Sequence, residues 1–147
     1  MDKKNLEDLA LFLLRVVAGL ILFYYGAQKF VGLFGGMGFQ ATLEGFQKNM
    51  GIPAWATTMA IIAEFFGGLG LIFGALTRVA AFGAASTMAV ATFVNIKGTS
   101  SLIPAAPGDN PLQHIAFPLS IFAISMAILL LGPGSWALDQ KIFKKRR

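Results

Sequence analysis

Apolar residues come in four long runs, at about 9–34, 54–76, 79–96 and 112–131, with short polar or Gly/Pro-rich stretches between them. A run of about twenty apolar residues spans a hydrocarbon core of ~30 Å as a helix. The pattern therefore predicts an all-α fold, an integral membrane four-helix bundle in one transmembrane domain over 1–147. The first run is longer than a straight crossing needs, which predicts tilt or a protruding end. Gly35-Gly36-Met37-Gly38 breaks it. Residues 39–50 follow a different period: Phe39, Leu43, Phe46 and Met50 form an apolar stripe among Gln40, Glu44, Gln47 and Lys48. That spacing predicts a short amphipathic helix in the interface or across the bundle end. Thr77-Arg78 is so short a link that the second and third spans must form an antiparallel hairpin. Residues 97–110 read as a loop, with Asn110 as N-cap, Pro111 at the first helical position and Pro118 kinking the fourth span.

Within the first run, Arg15, Gly19, Leu22, Gly26 and Lys29 recur at offsets of four and three, so they share one helix face. In the second, Glu64, Gly67, Leu71, Gly74 and Arg78 do the same. Glycines let membrane helices approach closely, so Gly19, Gly26, Gly67 and Gly74 are read as helix-packing residues. One antiparallel register sets Lys29 opposite Glu64. A register seven residues over sets Leu22 there, with Arg15 and Lys29 about one heptad away on either side.

Composition changes the picture in two ways. Only 13% of residues are charged, against roughly a quarter in soluble domains, so lipid is the solvent. The formal net charge of +5 does not indicate nucleic acid. Five of the twelve cations lie in the tail 139–147, at Lys141, Lys144, Lys145, Arg146 and Arg147, with a single aromatic, Phe143, among them and no stacking series. A basic tail beside a span is a topology determinant and a contact for anionic lipid. It lies on the same side as Lys3, Lys4 and Arg78, against Lys29, Lys48 and Lys97 on the other, which predicts both termini in the cytoplasm. The mixed-sign N-terminus and over-long first run predict a retained helix and not a cleaved leader.

Candidate chemistry centres on Glu64, about 15 Å into its span at 1.5 Å per residue. A carboxylate at that depth is costly and is normally paired inside a bundle. It reads either as a binding or proton-relay site or as an ion pair that fixes helix register. A second group of polar residues gathers toward the other side: Tyr24, Tyr25, Gln28, Lys29, Asn95, Gln113 and His114. Their hydroxyl, amide and imidazole groups could hydrogen-bond the carbonyls of a quinone, with Phe and Leu packing its ring. Polar residues also collect at helix ends simply because water is there. Glu64, Lys29, Arg15, Tyr25, Gln28, Asn95 and His114 are the ligand-binding candidates. No catalytic residue is assigned. With no cysteine and one histidine, the chain offers no metal site, no thiol chemistry and no self-contained redox centre.

The segments "LRVVAGLILFYYGAQKF", "GIPAW", "AEFFGGLGLIFGALTRVAA" and "LLLGPGSWALD", in this order, resemble the DoxX family of small four-helix bacterial membrane proteins. The pattern falls on Arg15, Gly19, Gly26, Lys29, Glu64, Gly67, Gly68, Gly74, Arg78, Gly132, Gly134 and Asp139. The resemblance implies the bacterial inner membrane and a link to redox biology, since members include a quinone-reducing thiosulfate oxidoreductase subunit. The chain departs from the pattern at Asn95, where a histidine is expected, and at Gln113, where a glutamate often stands. Three readings of function follow. The chain is an accessory membrane subunit of a redox-linked assembly, holding a quinone or lipid headgroup at its ionic site. It is the membrane half of a quinone-linked oxidoreductase. Or it passes a small lipophilic solute. Expected partners are the lipid bilayer and a protein partner or second copy, with no covalently bound cofactor.

Overall fold

The computed structural model describes residues 2–98 and 111–144. Among them the chain forms six α-helices and no strand: α1 (Lys3–Phe30), α2 (Gly38–Met50), α3 (Ala54–Phe73), α4 (Thr77–Gly98), α5 (Pro111–Leu131) and α6 (Leu138–Lys144). Four of these, α1, α3, α4 and α5, are long and apolar enough to cross a membrane. The protein is an all-α membrane bundle. Lys97 and Gly98, expected to begin a loop, complete α4 instead; the rest of that loop, 99–110, its Asn110 cap and the tail beyond Lys144 lie outside the described residues.

Helix ends differ from the sequence pattern where glycine sets them. The apolar run continues to Phe34, but α1 stops at Phe30, because Gly32 turns the chain at φ 72 and a 3-10 turn, Leu33–Gly35, follows. Gly36 then packs directly on the Gln28 backbone, where a Cβ would not fit. Helix α3 likewise ends at Phe73, capped by Gly74 at φ 69, three residues short of the apolar run's end. The chain crosses to α4 through Ala75 and Leu76, and Leu76 itself is left-handed at φ 50. Pro118 does not interrupt α5.

The spans close as a ring: α1 packs on α3, α3 on α4, and α4 on α5, while α1 and α5 touch only lightly. The α1–α3 contact is the tightest because glycines line it. A Cβ on Gly19 would lie 2.8 Å from the Gly68 carbonyl oxygen, and one on Gly26 within 2.8 Å of the Glu64 and Phe65 backbone. Gly68, not Gly67, is the residue of α3 that meets α1; Gly67 faces Ala80 of α4. The backbone register falls between the two sequence alternatives, since Gly26, and neither Lys29 nor Leu22, sits against Glu64. A glycine there lets the backbones meet, and the longer Lys29 side chain reaches back to the carboxylate.

The core is small-grained. Ala18, Leu22, Leu71, Ala80, Ala81, Ala84, Met88, Ile121 and Ile128 fill it, and most larger apolar residues point outward to lipid. Helix α2 lies across the end opposite the termini, beside α1 and α3. There Phe30 contacts Phe39, Phe65 and Phe66 with ring centroids 5.1 to 6.3 Å apart.

Candidate functional site

The helix-face spacing that groups Arg15 with Lys29 in the sequence becomes, in three dimensions, two separate polar centres at opposite ends of the bundle. Lys29, in the last turn of α1, donates to both Glu64 carboxylate oxygens, at 2.7 Å to Oε1 and 2.6 Å to Oε2. Glu64 is almost sealed, with 4% of its side chain exposed, while Lys29 retains 26%. The Phe46 ring of α2 lies 5.8 Å from Lys29 Nζ and shields the pair from one side. An ammonium carries three protons, and two are committed to Glu64, so one is left to meet a further acceptor.

Beside this pair a pocket of about 320 Å³ opens on one side. Its polar wall is Lys29, Glu64, Asn95 and His114. Its apolar wall includes Leu22, Met88, Ala91 and Phe117, with Tyr25 between the two. Four different spans contribute, so the pocket exists only in the assembled bundle. Tyr25 packs on Phe117 with ring centroids 5.3 Å apart, which brings α1 and α5 together across the mouth.

Asn95 has a duty that its spacing did not reveal. Pro118 has no N–H, so the carbonyl four residues earlier, on His114, loses its helical donor. Asn95 Nδ2 donates to that oxygen at 2.7 Å. This exchange holds α4 to the first turn of α5 and leaves the amide oxygen of Asn95 as an acceptor.

The other candidates lie elsewhere. Gln28 makes only a long 3.4 Å contact to the Phe34 carbonyl and supports the turn after α1. Tyr24 stacks on Phe34 at 5.0 Å, outside the pocket. The side chain of Gln113 lies outside the described residues. Arg15 is 1% exposed and sits at the far end of α1, away from Glu64. Its Nη1 donates to the Pro133 carbonyl at 2.7 Å, against Gly74 and Ala137, and its Nε has no partner.

Around Arg15 the segment after α5 folds back and ties the bundle. Asp139 accepts hydrogen bonds from the backbone N–H groups of Leu76 and Thr77 at 2.7 and 2.8 Å, while its own N–H donates to the Gly74 carbonyl at 2.9 Å. It thus acts as the N-cap of α4 from more than sixty residues away. Asp8 accepts from the Ser135 N–H at 2.8 Å, and Phe12 meets Trp136 edge-on at 5.6 Å. Arg78 approaches Gly132. These contacts are structural; the family pattern marks Asp139 without a role, and Asp8 reads in the sequence only as an acid near a helix start.

Comparison with known proteins places these residues in a family context. The model of the DoxX family matches residues 10–96, a stretch holding Lys29, Glu64 and Asn95. "Inner membrane protein YqjF" of Escherichia coli (strain K12) is 27% identical over 142 residues, covering 97% of this chain and 98% of that protein. "Putative oxidoreductase CatD" of Bacillus subtilis (strain 168) is 25% identical over 140 residues, covering 95% and 92%. No solved structure gives a significant match.

Proposed function

The chain belongs to the DoxX family of membrane proteins, and from that premise we propose that it is an accessory subunit of a redox-linked assembly in the bacterial inner membrane, holding a quinone headgroup beside Lys29 and Glu64. The observation that carries this reading is the pocket itself. A half-open cavity with one spare ammonium proton, an amide, an imidazole and a phenol above apolar walls fits a ring that is flat, apolar and flanked by carbonyls. Its size, at the lower end of the ~300–1,000 Å³ range of small-molecule sites, suits a headgroup better than a whole lipid. The names of the two relatives, "Inner membrane protein YqjF" and "Putative oxidoreductase CatD", support the location and the redox link.

A quinone supplies a two-electron, two-proton acceptor when bound. The protein's part is to hold and orient it. Glu64 fixes Lys29 so that its remaining N–H is presented to a carbonyl. Leu22 and Ala91 line the apolar wall against the ring, Tyr25 and Phe117 stand at the mouth beside it, and the His114 imidazole adds a polar edge. The chain has no cysteine to bear an iron–sulfur cluster or a disulfide couple, so the electrons come from a partner protein. Helix α2 and the end opposite the termini offer that partner its approach to the site. Lys3, Lys4, Arg78 and Lys141 on one end of the bundle support a cytoplasmic location for both termini.

Native mass spectrometry of protein extracted gently from its own membranes tests the proposal. Quinone should co-purify with the wild type. The double variant Lys29→Met/Glu64→Gln removes both charges together, so no buried charge is left uncompensated, and it should fold but lose the quinone. Quinone kept by that variant, or absent from the wild type, would overturn the site and leave the pair as a device that sets helix register.

A further inference from the structure

The ring of spans has one weak seam, between α1 and α5. At the end bearing the termini the segment that follows α5 closes this seam, fastened to α1 by Arg15 to Pro133, Asp8 to Ser135 and Phe12 to Trp136. Toward the opposite end no such fastening recurs among the described residues, and the pocket lies in the gap. Tyr25 of α1 and Phe117 of α5 bridge it there by ring contact alone, and they are 40% and 43% exposed within their spans. Side chains exposed at that depth face lipid.

The pocket is also graded along the membrane normal. Lys29, Asn95 and His114 form its outer level, near their helix ends. Tyr25 and Phe117 come one turn deeper, and Leu22 and Met88 a turn deeper again. Polar groups outside and apolar groups toward the midplane repeat the order of a lipid leaflet, from headgroup to chain.

We infer that the α1–α5 seam is a lateral portal gated by Tyr25 and Phe117, and that the ligand is an amphiphile with a long apolar tail, taken from the leaflet opposite the termini. Its headgroup turns in toward Lys29 while its tail stays in the bilayer. The inference rests on the quinone reading of the pocket and narrows it to isoprenoid quinones, excluding tail-less, water-soluble ones as the natural ligand.

The absence of native cysteine makes the gate accessible to direct test. The double variant Tyr25→Cys/Phe117→Cys, in lipid nanodiscs, is bridged with a short bifunctional methanethiosulfonate. Binding of a decyl-tailed benzoquinone is compared with that of the same ring carrying a methyl group. Bridging should slow exchange of the decyl compound at least tenfold, leave the methyl compound much less affected, and be reversed by reductant. Equal exchange of the decyl compound before and after bridging would overturn the portal while leaving the site intact. Failure of the wild type to bind either quinone, with a phospholipid retained instead, would overturn the site and the portal together. A variant that does not assemble leaves the wild type to be probed with a quinone bearing a photoreactive tail. Label on α1 and α5 is expected, and label on α2 or α3 would refute the portal.

Discussion

At the scale of single residues, the most informative contact is the one between Asn95 and the His114 carbonyl. It exists because Pro118 withholds a donor, so the two residues should be energetically coupled. Asn95→Leu removes the donor from the His114 carbonyl at the exposed pocket mouth, and stability should fall by about 0.5–1.5 kcal/mol, the net worth of one hydrogen bond, read as a lower thermal midpoint in detergent. Pro118→Ala restores the helical N–H. The pair Asn95→Leu/Pro118→Ala should therefore lose less stability than the sum of the single changes; strict additivity would refute the coupling. Asn95 also shows why some of the site was hidden in the sequence. Its place near the end of a span marks a polar residue in need of a partner, but the partner is set by a proline in another helix, and no spacing within α4 points to it. Asp139 is a stronger case, since it looks like one acid in a basic tail and becomes the cap of a helix that begins at Thr77. Lys29 and Glu64, by contrast, were legible as a depth-and-face problem: a carboxylate far inside a span needs a cation on a neighbouring face, and few cations were available.

At the scale of elements, the glycine pattern carries the α1–α3 contact, and two glycines of different surroundings test it. Gly26→Ala places a methyl group into the Glu64–Phe65 backbone, where neither side can yield without parting the helices. A cost of about 1–3 kcal/mol is expected from the overpacking, with loss of the Lys29–Glu64 geometry and of any bound quinone. Gly45 lies in α2 with nothing within 4 Å of where its Cβ would be. Gly45→Ala should therefore be neutral or stabilising by up to about 1 kcal/mol, as helix propensity requires. Thermal melts of the two proteins compare them directly; equal effects would mean that close approach is not what the glycines supply. The number and order of the spans and the amphipathic character of α2 were readable from apolar periodicity, because length and period are properties of one segment; α6, which the sequence presents as a basic tail, was not. Helix ends were less so: the apolar run passes through Phe34 and Leu76, yet the helices stop at Phe30 and Phe73, because glycine φ angles and a remote carboxylate decide where the hydrogen-bond ladder ends.

At the scale of the whole molecule, the bundle is fastened at one end and open at the other. Asp139→Ala removes both acceptors of the α3–α4 turn and leaves Leu76 in a left-handed conformation without its hydrogen bond. About 0.5–2 kcal/mol of stability should be lost, the usual cost of a missing cap, with faster proteolysis at the turn. The pocket lies at the opposite end, so the affinity of the surviving folded protein for quinone should be nearly unchanged, and a large drop would show that the two ends are coupled. The fastening has a further consequence for how the protein is made. Arg15 is made well before its partner: the carbonyl that accepts its hydrogen bond, on Pro133, is translated 118 residues later. Until then the guanidinium must be sheltered by the translocation machinery, by lipid headgroups or by water drawn into the bilayer. The nascent bundle then has its four spans but is unlatched, and the arrival of the segment from Pro133 to Asp139 is the event that fastens it. Membrane quality control could distinguish the two states by a single arginine.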